Sequence, residues 1–168
     1  EEIAKGMQDP LRLAGLRIAA TRRAIHMDPA GAKMKRTVEL AKKYKAEGRA
    51  GTIFAHDREA IPLLKKHLEE AGINAIEYHG GMSGPERESA RTRFKNGEGD
   101  VIIASTAGQT GINMQRASYA IHHDMAQTYV KMDQRQARVN RIGQKFKSPD
   151  IHSLLLDHPE ETAARDRV

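Results

Sequence analysis

Hydrophobic and polar positions follow two rhythms along this chain. Up to residue 47 the apolar positions recur at helical spacing, and from Gly51 onward short unbroken apolar runs alternate with helical stretches. Residues 10–26 set Leu11, Leu13, Leu16, Ile18 and Ile25 among arginines, which predicts a basic amphipathic helix. Pro29-Ala30-Gly31 punctuates it, and residues 32–47 predict a second helix that stops at Gly48. Thr52-Ile53-Phe54-Ala55 predicts a buried strand. The next helix is expected to be capped by Asp57 and to run through Ala71 to Gly72, with Pro62 an awkward interior residue. Ile73 to Tyr78 predicts a second strand. Ser83 and Glu86 form an S-x-x-E capping box that opens a helix to Lys95, stopped by Asn96-Gly97. Val101–Ser105 and Tyr119–His123 predict strands three and four, and residues 127–142 a helix ended by Gly143. Ile151 to Leu156 predicts a fifth strand, and residues 159–168 a last helix.

Strands that alternate with helices imply parallel strands joined by crossover helices. Strands apolar along their whole length fit a sheet covered on both faces, because both sides of each strand must then be buried. The expected fold class is therefore α/β. It is a three-layer domain with a mainly parallel β-sheet and helices on both faces, over residues 31–168, preceded by a helical segment over residues 1–30. Neither an internal repeat nor a low-complexity segment interrupts it.

Composition narrows the chemistry. The 168 residues amount to about one domain, and the absence of cysteine excludes disulfides and thiolate metal sites. No apolar run approaches the roughly 18 residues of a membrane span, and no targeting motif is present. The expectation is a soluble, intracellular chain, cytoplasmic if bacterial or phage-encoded. It opens on Glu1-Glu2 rather than methionine, which is expected of an excerpt of a longer protein. The net charge of +6 is uneven: residues 1–50 hold 12 basic and 6 acidic side chains, and residues 51–100 hold 7 and 9. Arg135, Arg138, Arg141, Lys145 and Lys147 follow one another with no acid between them. Such a stretch repels itself unless it faces an anion, whereas a solvated helix face mixes signs.

Three segments carry candidate chemistry beyond the carboxyl ends of the strands, where ligands of parallel sheets collect. In Tyr78-His79-Gly80-Gly81-Met82-Ser83 two glycines permit close backbone approach, and the following helix start offers N–H groups to a phosphate, with Arg87 one turn in. Alone, this segment also reads as an ordinary β–α turn. The run from Ser105 to Asn113 is small, hydroxyl-rich and glycine-punctuated, suited to a nucleic-acid phosphate at Ser105 or Thr106 and to a nucleotide at Gly111 and Asn113; it also reads as a linker. From Gln134 to Gln144, Arg138 and Arg141 stand three apart on one helix face with Gln134 a turn back, a fork for a polyanion or for the charge on a transferring phosphoryl group. The sequence G-x-x-x-x-G-K-[ST] does not occur.

The last segment, Q-x-x-A-R-x-x-R-I-G-Q, resembles motif VI of superfamily two helicases in its Swi/Snf-type form. Ser105 to Met114 is similar to motif V of that group, one residue shorter near its start. Tyr78 to Phe94 resembles the strand–H-G–helix–R–F block, and Gly51 to His56 the I-F strand of motif IV. Asp124 precedes Gln134 by the family's usual ten residues. In order and spacing the resemblance covers residues 50–145.

What the resemblance implies is the second RecA-like lobe of a Swi/Snf-like, DNA-dependent ATPase. ATP with Mg²⁺ would be bound mainly by a first lobe of the same polypeptide. Arg138 and Arg141 would serve as arginine fingers, Gln134 would reach across the cleft, and Gly111 and Asn113 would approach the nucleotide. His79, Gly80, Arg87, Ser105 and Thr106 would touch the backbone of double-stranded DNA. The pattern departs from the family at Gln127-Thr128-Tyr129, where Trp-Asn-Pro is usual, at Ala137 and Asn140, and at Gln109-Thr110 in motif V. These departures imply a divergent member. A strand-separating helicase lobe, a non-catalytic nucleic-acid-binding module and a docking module built on residues 10–26 stand as alternatives. His122-His123-Asp124 invites a metal reading, but adjacent strand residues face opposite sides of a sheet.

Overall fold

The computed structural model describes residues 10–28, 30–105, 116–124 and 149–156. Its elements in chain order are α1 (Pro10–Met27), α2 (Ala32–Ala46), β1 (Gly51–Ala55), α3 (Ala60–Glu70), β2 (Ala75–Tyr78), α4 (Gly84–Asn96), β3 (Val101–Ser105), β4 (Tyr119–His122) and β5 (Asp150–Ser153). The five strands form one sheet in the order β2-β3-β1-β4-β5, and every pair is parallel. The helices expected over residues 127–142 and 159–168 lie outside the described residues.

Alternation along each strand sorts the apolar side chains into two cores. Ile53, Ala55, Val101, Ile103, Tyr119 and Ile121 face one side and pack with Leu40 and Tyr44 of α2 and Ile61, Leu64 and Leu68 of α3. Phe54, Ile102, Ala104 and Ala120 face the other and pack with Ala90 and Phe94 of α4. Each fully buried Ile, Leu or Phe contributes roughly 1.5–3 kcal/mol relative to exposure. Helices flank both sides because the path reverses: α3 carries the chain outward from β1 to β2, and α4 brings it back to β3. Right-handed crossovers then require α3 and α4 on opposite faces.

Several boundaries differ from expectation for local reasons. The helix after β1 begins at Ala60, not at Asp57. The Asp57 carboxylate instead accepts from the Glu59 N–H at 3.0 Å, a turn that uses the segment before the helix. Pro62 therefore falls in the first turn of α3, where no intrahelical N–H bond is required. Strand β2 begins two residues late because Ile73 N–H closes α3 on Leu68 and Asn74 N–H bonds the Asp100 carboxylate. The fifth strand spans Asp150–Ser153 rather than 151–156. Helix α4 matches its reading closely: the Ser83–Glu86 capping box is formed, and Gly97 closes the helix at φ +92°, a conformation only glycine adopts without strain. Helix α1 rests against α2 and α3 while Leu13, Leu16 and Ile18 stay exposed.

Candidate nucleic-acid and nucleotide interface

All five strands run one way, so every strand exit reaches the same edge of the sheet. The connection out of β1 leads toward β2, whereas β4 is followed by β5 on the other side. The crevice between β1 and β4 is therefore the switch point at which ligands of such sheets bind. Its floor is tied shut: the Asp124 carboxylate accepts from the His56 N–H, and His123 N–H donates to the Phe54 carbonyl at 3.0 Å.

The two histidines at the end of β4 point apart. His122 stacks on Phe54 on one side of the sheet, ring centroids 5.2 Å apart. His123 turns to α2, with Nδ1 2.9 Å from the Thr37 hydroxyl. That hydroxyl already donates to the Lys33 carbonyl at 2.9 Å, so it accepts from His123 and the imidazole carries its proton on Nδ1. Among the described residues no group of three or more His, Asp or Glu is placed to hold a metal ion.

The next exit is the loop from β2 to α4. His79 begins it with its backbone N–H on the Met82 sulfur at 3.4 Å, and its Nδ1 accepts from the Gly81 N–H at 3.2 Å. The ring proton therefore sits on Nε2, which lies 3.8 Å from the Glu77 carboxylate, itself 3.9 Å from Lys65. The imidazole holds the turn together and presents only Nε2–H outward. Gly80 and Gly81 are exposed.

The start of α4 offers less to a phosphate than its sequence implied. Pro85 has no N–H, Glu86 N–H donates to the Ser83 hydroxyl, and the Glu86 carboxylate accepts from Ser83 N–H at 2.7 Å. These hydrogen bonds hold the Glu86 carboxyl below its usual range, so a negative charge stands where an anion was expected. The attraction for an anion falls to side chains.

Arg87, half-buried in the first turn of α4, has no carboxylate within ion-pair distance among the described residues. A second such cation, Arg58, was not singled out in the sequence. It follows β1 directly, is exposed, and lies over Gly81: a Cβ on that glycine would stand 2.7 Å from the Arg58 guanidinium and 3.2 Å from His79 Nδ1. Gly81 is thus the gap that lets the β1 and β2 exits meet. Between two acids in His56-Asp57-Arg58-Glu59, Arg58 reads in sequence as part of a mixed-sign surface. Only the neighbouring strand exit gives it a place.

Ser105 ends β3 opposite Ala55 and is 3% exposed, so it is the buried strand end from which Thr106 continues rather than an open surface group. Thr106, Gly111, Asn113, Gln134, Arg138 and Arg141 lie outside the described residues.

The family model of the helicase conserved C-terminal domain matches residues 32–143. The chain belongs to that family. Among curated relatives, a probable ATP-dependent RNA helicase, DDX23 of Homo sapiens, is 33% identical over 91 residues, 54% of this chain and 11% of its own length. The ATP-dependent DNA helicase RecQ of Pasteurella multocida is 25% identical over 123 residues, 68% of this chain and 20% of its own. The part of this chain that aligns spans a fifth or less of the length of these relatives. Among solved structures, the C-terminal part of the Fun30 ATPase domain superposes with a TM-score of 0.75 at 21% identity, over 82% of this chain and 45% of that one. The E. coli DEAD-box protein SrmB gives 0.62 at 27% identity, over 72% and 70%. The parallel sheet with helices on both faces is the RecA-like fold of helicase C-terminal domains. No helix among the described residues of this domain is long and apolar enough to cross a membrane.

Proposed function

We propose that the chain is the second motor lobe of a Swi/Snf-like, double-stranded-DNA-dependent translocase driven by ATP. The observation that carries this reading is the gathering, at one sheet edge, of the β1, β2, β3 and β4 exits, with Arg58 and Arg87 there free of carboxylate partners among the described residues. In this reading a first lobe of the same polypeptide holds ATP and Mg²⁺. Gly111, Asn113 and Gln134 face the nucleotide from this side. Arg138 and Arg141 neutralise the negative charge that spreads over the γ-phosphoryl oxygens as transfer proceeds, the role of an arginine finger. His79, Gly80, Arg87, Ser105 and Thr106, together with Arg58, track the nucleic-acid backbone. Contacts of that kind make binding independent of base sequence and sensitive to salt.

An arginine finger contributes on the order of 10³–10⁵ in turnover. Arg141→Ala in the full-length protein is therefore expected to reduce ATP hydrolysis about a thousandfold or more while the fold is retained; near-wild-type turnover would refute the assignment. With no G-x-x-x-x-G-K-[ST] sequence, the 168 residues by themselves are expected not to hydrolyse ATP. A second reading, strand separation on DNA or RNA, is favoured by the names of relatives such as DDX23 and RecQ. A strand-displacement assay on the full-length protein, with duplex DNA and duplex RNA, separates the two.

A further inference from the structure

Helix α1 has no role in the reading above, yet one of its side chains reaches the edge where the nucleic acid is proposed to lie. The Arg23 guanidinium pairs with the Glu59 carboxylate and stands 3.9 Å from that of Asp57. These are the two acids that flank Arg58 in the chain. From this arrangement we infer that Arg23 is a positioning residue for nucleic-acid binding: it occupies Asp57 and Glu59 and so leaves Arg58 available to a backbone phosphate. The inference rests on the proposed nucleic-acid contact of the carboxyl edge.

Electrostatics gives the reason. The segment Asp57-Arg58-Glu59 carries two negative charges and one positive. With no other cation near, both carboxylates compete with a phosphate for Arg58 and repel the phosphate as well. All three groups lie well within one Debye length, about 8–10 Å at physiological salt, so the repulsion is not screened away. Arg23 brings a compensating charge, and its planar fork can serve both carboxylates. Asp57 is also held by the Glu59 N–H, which keeps the pair of acids in fixed places for Arg23 to meet.

The same contacts make α1 a conditional part of the surface. Leu13, Leu16 and Ile18 are exposed, so apolar burial contributes little at those positions to holding the helix. Arg23 and Glu59 are each more than half exposed. Ion pairs of that kind contribute little to stability. The helix is thereby tied on lightly, and the charge at the β1 exit depends on whether it is in place.

The test uses the full-length protein and the salt dependence of its binding to a fluorescent DNA duplex of arbitrary sequence, read by anisotropy. Arg58→Gln should weaken binding and lower the slope of log K against log salt by about 0.9. Arg23→Gln should weaken binding roughly three- to fivefold, the scale of a surface ion pair. Adding Asp57→Asn and Glu59→Gln to Arg23→Gln should restore wild-type affinity, and Arg23→Lys, which keeps the charge but not the fork, should lose less than Arg23→Gln does. If Arg58→Gln binds like wild type, the reading of the edge itself fails. If Arg58→Gln is weak but Arg23→Gln is not, or the triple variant stays as weak as Arg23→Gln, the inference about Arg23 is overturned. Should Arg23→Gln fail to fold, Asp57→Asn with Glu59→Gln in the presence of Arg23 decides instead. Affinity equal to or above wild type supports the inference, and a loss overturns it.

Discussion

The two edges of the sheet treat charge in opposite ways. At the amino-terminal edge cations are engaged within the fold: Arg49 binds Asp150 at 2.6 Å and Glu47 at 3.3 Å, Lys45 binds Asp100 at 2.7 Å, and Arg116 donates to the Phe94 and Gly99 carbonyls. Aromatic rings reinforce the pairs. Tyr44 stacks on Tyr119 with centroids 4.1 Å apart, Arg49 lies 4.5 Å over Tyr44, and the Tyr44 hydroxyl meets His152 Nε2 at 2.6 Å. At the carboxyl edge Arg58 and Arg87 point out with no acid partner among the described residues, while the acids beside Arg58 are taken by Arg23. One edge spends its charges on joining α2, β4 and β5; the other leaves cations for a ligand. Net charge alone cannot distinguish these uses, because both edges are rich in arginine.

The sharpest way to break the contrast is Tyr119→Ala. Tyr119 is 1% exposed, and its ring fills the space that a Cβ on Gly51 would otherwise occupy. Removing a buried ring of that size should cost about 3–5 kcal/mol, measured by urea unfolding. A loss below about 1 kcal/mol would show that the amino edge is not the stabilising one. Ser83→Ala removes the cap of α4 and should cost about 1 kcal/mol in the same assay, without altering the salt slope of binding beyond its effect on folding.

A pH titration sharpens the contrast further. Burial holds the His152 imidazole below its usual value of 6.5, and burial followed by the nearby Asp150 charge raises Tyr44, so the phenol keeps its proton and its hydroxyl shares a hydrogen bond with the neutral imidazole. The folded state binds the His152 proton less readily than the unfolded chain does. Its contribution is present in full above pH 6.5 and is lost as pH falls through the depressed value. His152→Gln should flatten that part of the stability profile; an unchanged profile would refute the role. The smallest expected stability effect is at the other edge. Arg87→Gln should shift unfolding by no more than about 0.5 kcal/mol, yet lower the salt slope of DNA binding by about one contact. A large loss of stability there would make Arg87 a structural residue and erase the difference between the edges.

Much of this was legible in local pattern. The capping box at Ser83 and Glu86, the closing Gly97 and the strand Val101–Ser105 depend on a few adjacent residues, and they appear where their spacing puts them. Pro62 was misread because its tolerance depends on where α3 starts, and that is decided by the Asp57 turn. At the start of α4 the same capping box that signals the helix also uses the Ser83 and Glu86 N–H groups and adds a carboxylate, so fewer donors are left for a phosphate than the loop sequence suggests.

The sequence by itself determined the α/β class, most element boundaries and the order of motifs that marks a helicase C-terminal domain, since each depends on periodicity and spacing within short segments. The tertiary structure alone decided which charges are partnered. Arg49 meets Asp150 across 101 residues, Arg23 meets Glu59 across a helix and a strand, and Arg58 meets Gly81 only because parallel strands bring their exits to one edge. Coulomb energy depends on distance in space, and the sheet order β2-β3-β1-β4-β5 sets that distance independently of position in the chain.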